Sequence, residues 1–157
     1  MPTFYRLVRT QVVPADLEVV WEFFATPKNL NRLTPQEMHF AILSGADEPM
    51  YPGQLIEYRI QLVPGLIVHW LTEIVHVEPQ RRFIDEQRFG PYKFWYHEHC
   101  FTPVPEGTQI EDLVTYALPF GPLGELAHAL WVRRQLEHIF DFRRQAIEEI
   151  FGKSYGR

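Results

Sequence analysis

The sequence predicts an α+β fold in which a curved, seven-stranded antiparallel sheet wraps around one long C-terminal helix, with two short helices after strand 1. Three observations predict it. A β-rich opening segment and six further β-rich runs are separated by Pro/Gly breakers too short for parallel crossovers. All 13 prolines lie at or before Pro122, so the C-terminal stretch is free to form one uninterrupted helix. From Leu123 onward the apolar period becomes helical.

The opening segment, Thr3 to Val13, is β-rich and predicts the first strand. Pro14-Ala15-Asp16 starts a helix with Asp16 as the expected N-cap, and Leu17, Val20, Trp21 and Phe24 follow at helical spacing. Thr26-Pro27 repeats the start signal for a second short helix, Lys28 to Leu33. Six strands are predicted next: 39–43, 54–62, 67–77, 82–89, 92–102 and 108–118. Breakers such as Pro52-Gly53, Pro64-Gly65 and Gly90-Pro91 divide them. The last helix is predicted over 123–151, about 43 Å long. Leu126, Ala129, Val132, Leu136, Ile139, Phe140, Ala146, Ile147 and Ile150 form its apolar stripe, and Gly152 stops it.

The 157 residues make one expected domain, 1–157, large enough to fold without a disulfide staple. Net charge is −5 and the pI near 5.8, which argues against a broad nucleic-acid footprint. No apolar run is long enough to span a membrane, so no transmembrane segment is expected. The single cysteine, Cys100, and an N-terminus without a signal-peptide core fit a cytoplasmic location. Aromatic residues reach 15%, which implies a bulky core or a lined cavity.

Side chains alternate across a strand, so parity sorts the sheet faces. Phe83, Asp85 and Gln87 share one face of their strand, as do Trp95, His97, His99 and Phe101, and as do Asp112, Val114 and Tyr116. The opposite faces carry Glu86, Arg88, Glu98 and Glu111, which suit water. The first set is therefore expected to face the long helix.

The run 82–92, continued by Trp95 to Phe101, Gly107-Thr108, Asp112 to Pro119 and Gly121 to Gly124, resembles the helix-grip (SRPBCC) superfamily. That group includes START lipid-transfer domains, the major birch-pollen allergen and bacterial polyketide cyclase/dehydrase-like proteins. The run is similar to a bacterial ligand-binding subfamily that also occurs fused to epimerase-like proteins. The resemblance implies a cavity for a hydrophobic or amphipathic small molecule (a lipid, polyketide or isoprenoid-like compound) and no single chemistry.

The inward polar residues suit four roles. Asp85, His97, His99 and Asp112 can form a structural network, or orient a ligand beside Phe83, Gln87, Trp95, Phe101, Val114 and Tyr116. A carboxylate-held imidazole can also shuttle protons, which would make His97, His99, Asp85 and Asp112 catalytic. His97-x-His99 with an aspartate can bind a metal, but the signal is weak and no metal or cofactor is expected. His69, His76, Trp21 and Trp131 are expected to be structural, and Met38 and Met50 suit a cavity mouth. Arg133-Arg134 and Arg143-Arg144 are expected on a solvated helix face. The segments 48–53 and 62–66 are candidate entrance lids, and Phe94 and Tyr96 suit a homodimer contact. The expected partner is a hydrophobic small molecule bound by a protein that more simply binds than catalyses.

Overall fold

A computed structural model describes residues 1–154. The strands are β1 (Tyr5–Val13), β2 (Ala41–Ser44), β3 (Leu55–Val63), β4 (Leu66–Glu78), β5 (Arg82–Phe89), β6 (Phe94–Val104) and β7 (Gly107–Ala117). They form one sheet in the order β1-β7-β6-β5-β4-β3-β2. Every pairing is antiparallel; short links favour this between consecutive strands, and β7 joins β1 across nearly the whole chain. The sheet bends at bulges, two of them in the β4–β5 pairing. The bulge between Ile74 and His76 shifts parity, so Ile74 and Val77 both meet the interior although they stand three positions apart, which regular alternation would put on opposite faces.

Between β1 and β2 lie α1 (Leu17–Phe24) and two 3₁₀ segments, Pro27–Leu33 and Gln36–Met38. Helix α1 buries Val20, Trp21 and Phe24 against Phe83 and Phe101, with Trp21 meeting both rings edge-on. Asp16 sits at the N-cap position with extended backbone, but its side chain makes no capping bond. The second short helix is 3₁₀ rather than α. Its successor is strapped down at Glu37, whose carbonyl accepts from Gln61 Nε2 and whose carboxylate lies 2.7 Å from His138 Nε2.

The C-terminal helix covers 31 residues and departs from the expected single α-rod. It comprises α2 (Gly121–Ala127), a π-helical turn (His128–Val132) and α3 (Arg133–Phe151). Its buried positions explain the π turn. Gly124, His128, Val132, Leu136 and Phe140 recur every fourth residue, a spacing that drifts around a 3.6-residue helix. A wider turn realigns them with the sheet. Leu126 and Ala129, predicted on the inward stripe, consequently face solvent. His128 takes the inward place, where it stacks on Tyr5 at 3.5 Å and bonds the Tyr116 hydroxyl at 2.7 Å.

Candidate functional site

Between the sheet and α3 lies a cavity of about 170 Å³. One end is aromatic. Phe40, Tyr58, Trp70, Trp95 and Tyr92 form a chain of ring contacts with centroids 4.8–5.8 Å apart. The roof is aliphatic, from Leu30, Met38, Leu136 and Ile139. Met50 also contributes to the wall. The indole N–H of Trp70 is buried and has no acceptor among the described residues.

The remaining wall is ionic. Asp85 on β5, His97 and His99 on β6 and Arg143 on α3 all line the cavity, and Asp112 on β7 stands behind them. The two imidazoles stack with centroids 3.6 Å apart. His99 Nε2 lies 2.7 Å from Asp85 Oδ2, and its Nδ1 lies 3.3 Å from Asp112 Oδ1. His97 Nε2 lies 2.8 Å from that same Asp112 oxygen, while its Nδ1 is 3.7 Å from Asp85. Arg143 donates to both Asp112 oxygens at 3.3 Å. Its guanidinium also sits over the Phe24 ring at 5.3 Å.

This order follows from register. Asp85 pairs with His97, and His99 pairs with Asp112, so i and i+2 on β6 meet one carboxylate from each neighbouring strand. Burial pushes both aspartates toward protonation, but the surrounding cations win. Arg143 and the imidazoles hold Asp112 well below the usual carboxylate range, and His97 and His99 lower Asp85. Burial also disfavours both imidazolium forms. The two carboxylates overcome it at His99, whose pKa rises; at His97 the neighbouring His99 charge reinforces burial and the pKa falls. The ionic count closes with two carboxylates, Arg143 and one imidazolium. His99 is then the more readily protonated of the two imidazoles and His97 the less.

Asp85, His97 and His99 each place a donor atom within 4.8 Å of the others, a grouping able to hold a metal ion. The stacking works against it. In-plane lone pairs of two rings inclined by 25° run side by side instead of converging on one point, so ligation requires a ring to turn. Cys100 is not a second reactive centre, since burial beside Glu98 pushes its thiol up to about 11.

The predicted site residues divide. Phe83, Asp85, Trp95, His97 and His99 reach the cavity wall. Asp112 contacts it only through its partners. Phe101 packs beneath Trp21 and Phe24, and Val114 belongs to the core under Leu136 and Phe140. The Tyr116 hydroxyl is taken by His128. Gln87 folds onto the β5–β6 hairpin, where it accepts from Tyr92 N–H and donates to Tyr92 C=O. Gly90 makes room for it, because a Cβ there would lie 2.5 Å from the Gln87 side chain.

Arg143 was expected on a solvated face and is instead buried. The signal was present in the sequence. Arg143 lies three residues after Phe140 and four before Ile147, on the apolar stripe itself. Trp131, expected to pack, is exposed, while Phe94 rests edge-on against Phe4 of the same chain at 5.3 Å.

A curved antiparallel sheet gripping a long C-terminal helix, with a cavity between them, defines the helix-grip fold. The chain belongs to the "Polyketide cyclase / dehydrase and lipid transport" family, whose model matches residues 5–148. A crystal structure from Chromobacterium violaceum superposes with a TM-score of 0.70 at 16% identity, covering 96% of this chain and 99% of that one. A Thermus thermophilus structure gives 0.65 at 22% identity, covering 94% and 95%. The major latex-like protein 151 of Panax ginseng gives 0.69 at 14%, covering 94% and 97%. At such identities the likeness is one of fold. No curated protein matches the sequence. Among the described residues, no helix is long and apolar enough to cross a membrane.

Proposed function

We propose that the protein binds an apolar or amphipathic small molecule in the cavity between sheet and α3. The observation that carries this is the cavity's division into an aromatic-aliphatic body and one compact ionic wall. The ligand's apolar part lies among Trp70, Trp95 and Ile139, and a polar group meets Asp85, His97 or His99. The unpartnered Trp70 N–H offers one further donor to an acceptor on the ligand. Size narrows the class. A cavity of about 170 Å³ resembles one that admits a benzene-sized molecule, on the order of 150 Å³, so a single ring or short chain fits as the cavity stands. A full lipid, polyketide or isoprenoid requires the 3₁₀ segments to move away from α3. Native mass spectrometry with solvent extraction tests the proposal. A co-purified small molecule, or saturable binding of apolar probes, supports it; an empty protein that binds none of a broad probe set overturns it.

The stacked imidazole pair favours a second reading, a cyclase- or dehydratase-like enzyme. A neutral His97 Nδ1 beside a charged His99 supplies a base and an acid on one cavity wall. Turnover of polyketide-type substrates that is lost in His97→Gln supports catalysis. Turnover unchanged in both His97→Gln and His99→Gln removes it.

A further inference from the structure

Most polar groups around the cavity are already paired. Asn29, Thr34 and Gln135 give their donors to main-chain carbonyls, and the Tyr58 and Thr72 hydroxyls bond each other at 3.2 Å. Both oxygens of Asp112 are met by Arg143. Asp85 differs. Its Oδ2 lies 2.7 Å from His99 Nε2, while Oδ1 accepts no hydrogen bond among the described residues. The side chain is 16% exposed although β5 is the central strand of the sheet, and it lines the cavity. The neighbouring histidines hold it ionised despite burial. An anionic oxygen therefore faces a largely apolar space without a donor, which is costly. A ligand that brings an O–H or N–H to Oδ1 gains a charge-assisted hydrogen bond. One that brings only an acceptor, or nothing polar, strips water from that oxygen and returns nothing.

Donors alone do not exclude a charged ligand, since Arg143 Nη1 has no partner among the described residues. The charge balance does. Around Asp85 stand His97 and His99 on β6, Asp112 on β7, Arg143 on α3 and the neutral phenol of Tyr58 on β3. Two carboxylates, Arg143 and one imidazolium already sum to zero. A carboxylate ligand leaves this wall one charge negative unless His97 also takes a proton, which burial opposes. An ammonium ligand leaves it one charge positive unless His99 gives up its proton, which two carboxylates oppose. An uncharged donor disturbs neither. Among uncharged groups a phenol is a stronger donor than an alcohol or an amide, and a carboxylate beside it keeps it protonated.

We infer that the ligand is an uncharged single-ring hydroxyarene whose O–H donates to Asp85 Oδ1 while its ring lies among Trp70, Trp95 and Ile139. This rests on the cavity-binding reading and adds the ligand's charge and functional group. A cavity of about 170 Å³ holds one ring of this kind as it stands.

The test is isothermal titration calorimetry of the whole chain at neutral pH with single-ring probes: p-cresol, its isomer anisole, toluene, benzoate and benzylamine. The expected result is p-cresol bound at least tenfold more tightly than anisole, with anisole close to toluene. Benzoate and benzylamine should bind more weakly than p-cresol. Repeating the titrations in buffers of different ionisation heat should show no proton exchanged with p-cresol. In Asp85→Leu the ratio of p-cresol to anisole affinity should fall to near one while toluene still binds. Should Asp85→Leu not fold, Asp85→Asn keeps the shape and a neutral acceptor, and there the ratio should fall at least threefold. Equal binding of p-cresol and anisole, with toluene bound, overturns this inference and leaves the cavity reading standing. So does tighter binding of benzoate or benzylamine than of p-cresol, or a p-cresol preference that survives in the folded Asp85 variant. Failure of every probe to bind removes the cavity reading itself and this inference with it.

Discussion

Arg143 on α3 holds Asp112 on β7 through two contacts of 3.3 Å, Nε to Oδ2 and Nη2 to Oδ1, at a point where both side chains are almost fully buried. This pair fastens the long helix to the centre of the sheet and supplies the permanent positive charge that lets two aspartates stay ionised inside. Replacing Arg143 by Met leaves Asp112 with less compensation than its burial requires. Unfolding in urea should show a loss of about 3–5 kcal/mol for Arg143→Met. The double variant Arg143→Met/Asp112→Asn should lose clearly less than the two single losses added together. Additive losses would disprove the coupling.

The stacked histidines make opposite demands on pH. The pKa of His97 is lowered by folding, so its contribution is present above the unfolded value of about 6.5 and is lost as pH falls through the folded value. The pKa of His99 is raised, so its contribution is present below about 6.5 and is lost as pH rises through the folded value. Between them the pair places a stability maximum near that unfolded value. Asp112 adds a deeper acid limb, because its depressed pKa contributes stability above the unfolded carboxylate range that is lost only well below it. Thermal melts against pH should show His97→Asn flattening the limb just below the maximum and His99→Asn flattening the one above. A maximum unmoved by either substitution would contradict the shared-charge arrangement.

How much of this was legible depends on what each residue answers to. The strands, their hairpin links and the final helix follow from local punctuation, so breaker and proline placement located them, whereas the pairing of β1 with β7 joins the two most distant strands and is not local. Asp85, His97, His99 and Asp112 emerged as one cluster because period-two alternation fixes which face they share. Gln87 obeys that parity but bends back to a hairpin, a choice made by Tyr92 and Gly90 in three dimensions. Arg143 was missed because charge was weighed above position. The π turn was missed because a fourfold spacing reads as ordinary helix until the sheet beneath it fixes the direction each residue must take.

The start of the same helix offers a test of packing against propensity. Gly124 is buried, and a Cβ there would lie 2.1 Å from the Pro119 carbonyl oxygen. Alanine is the better helix former by about 1 kcal/mol. The contact is with backbone that cannot swing aside, so overpacking of about 1–3 kcal/mol should outweigh that gain. Gly124→Ala should therefore lower the melting temperature, and a rise would show that α2 lifts freely from the sheet.

Ile139 gives the most direct handle on the cavity. It is half-buried on α3, lines the cavity and carries no charge of its own. Tryptophan at this position adds a ring's volume to a cavity of about 170 Å³ and fills much of it. The cost to stability should stay within about 1–3 kcal/mol, because the added atoms enter existing space before they strain their neighbours. Binding should suffer far more, since every apolar contact the ligand makes needs that volume. The folded Ile139→Trp variant should bind apolar fluorescent probes at least tenfold more weakly than the wild type and release any co-purified molecule, while Leu123→Asp on the outer face leaves probe affinity unchanged. Equal probe binding by wild type and Ile139→Trp would place the ligand elsewhere, because no molecule can share this space with an added indole.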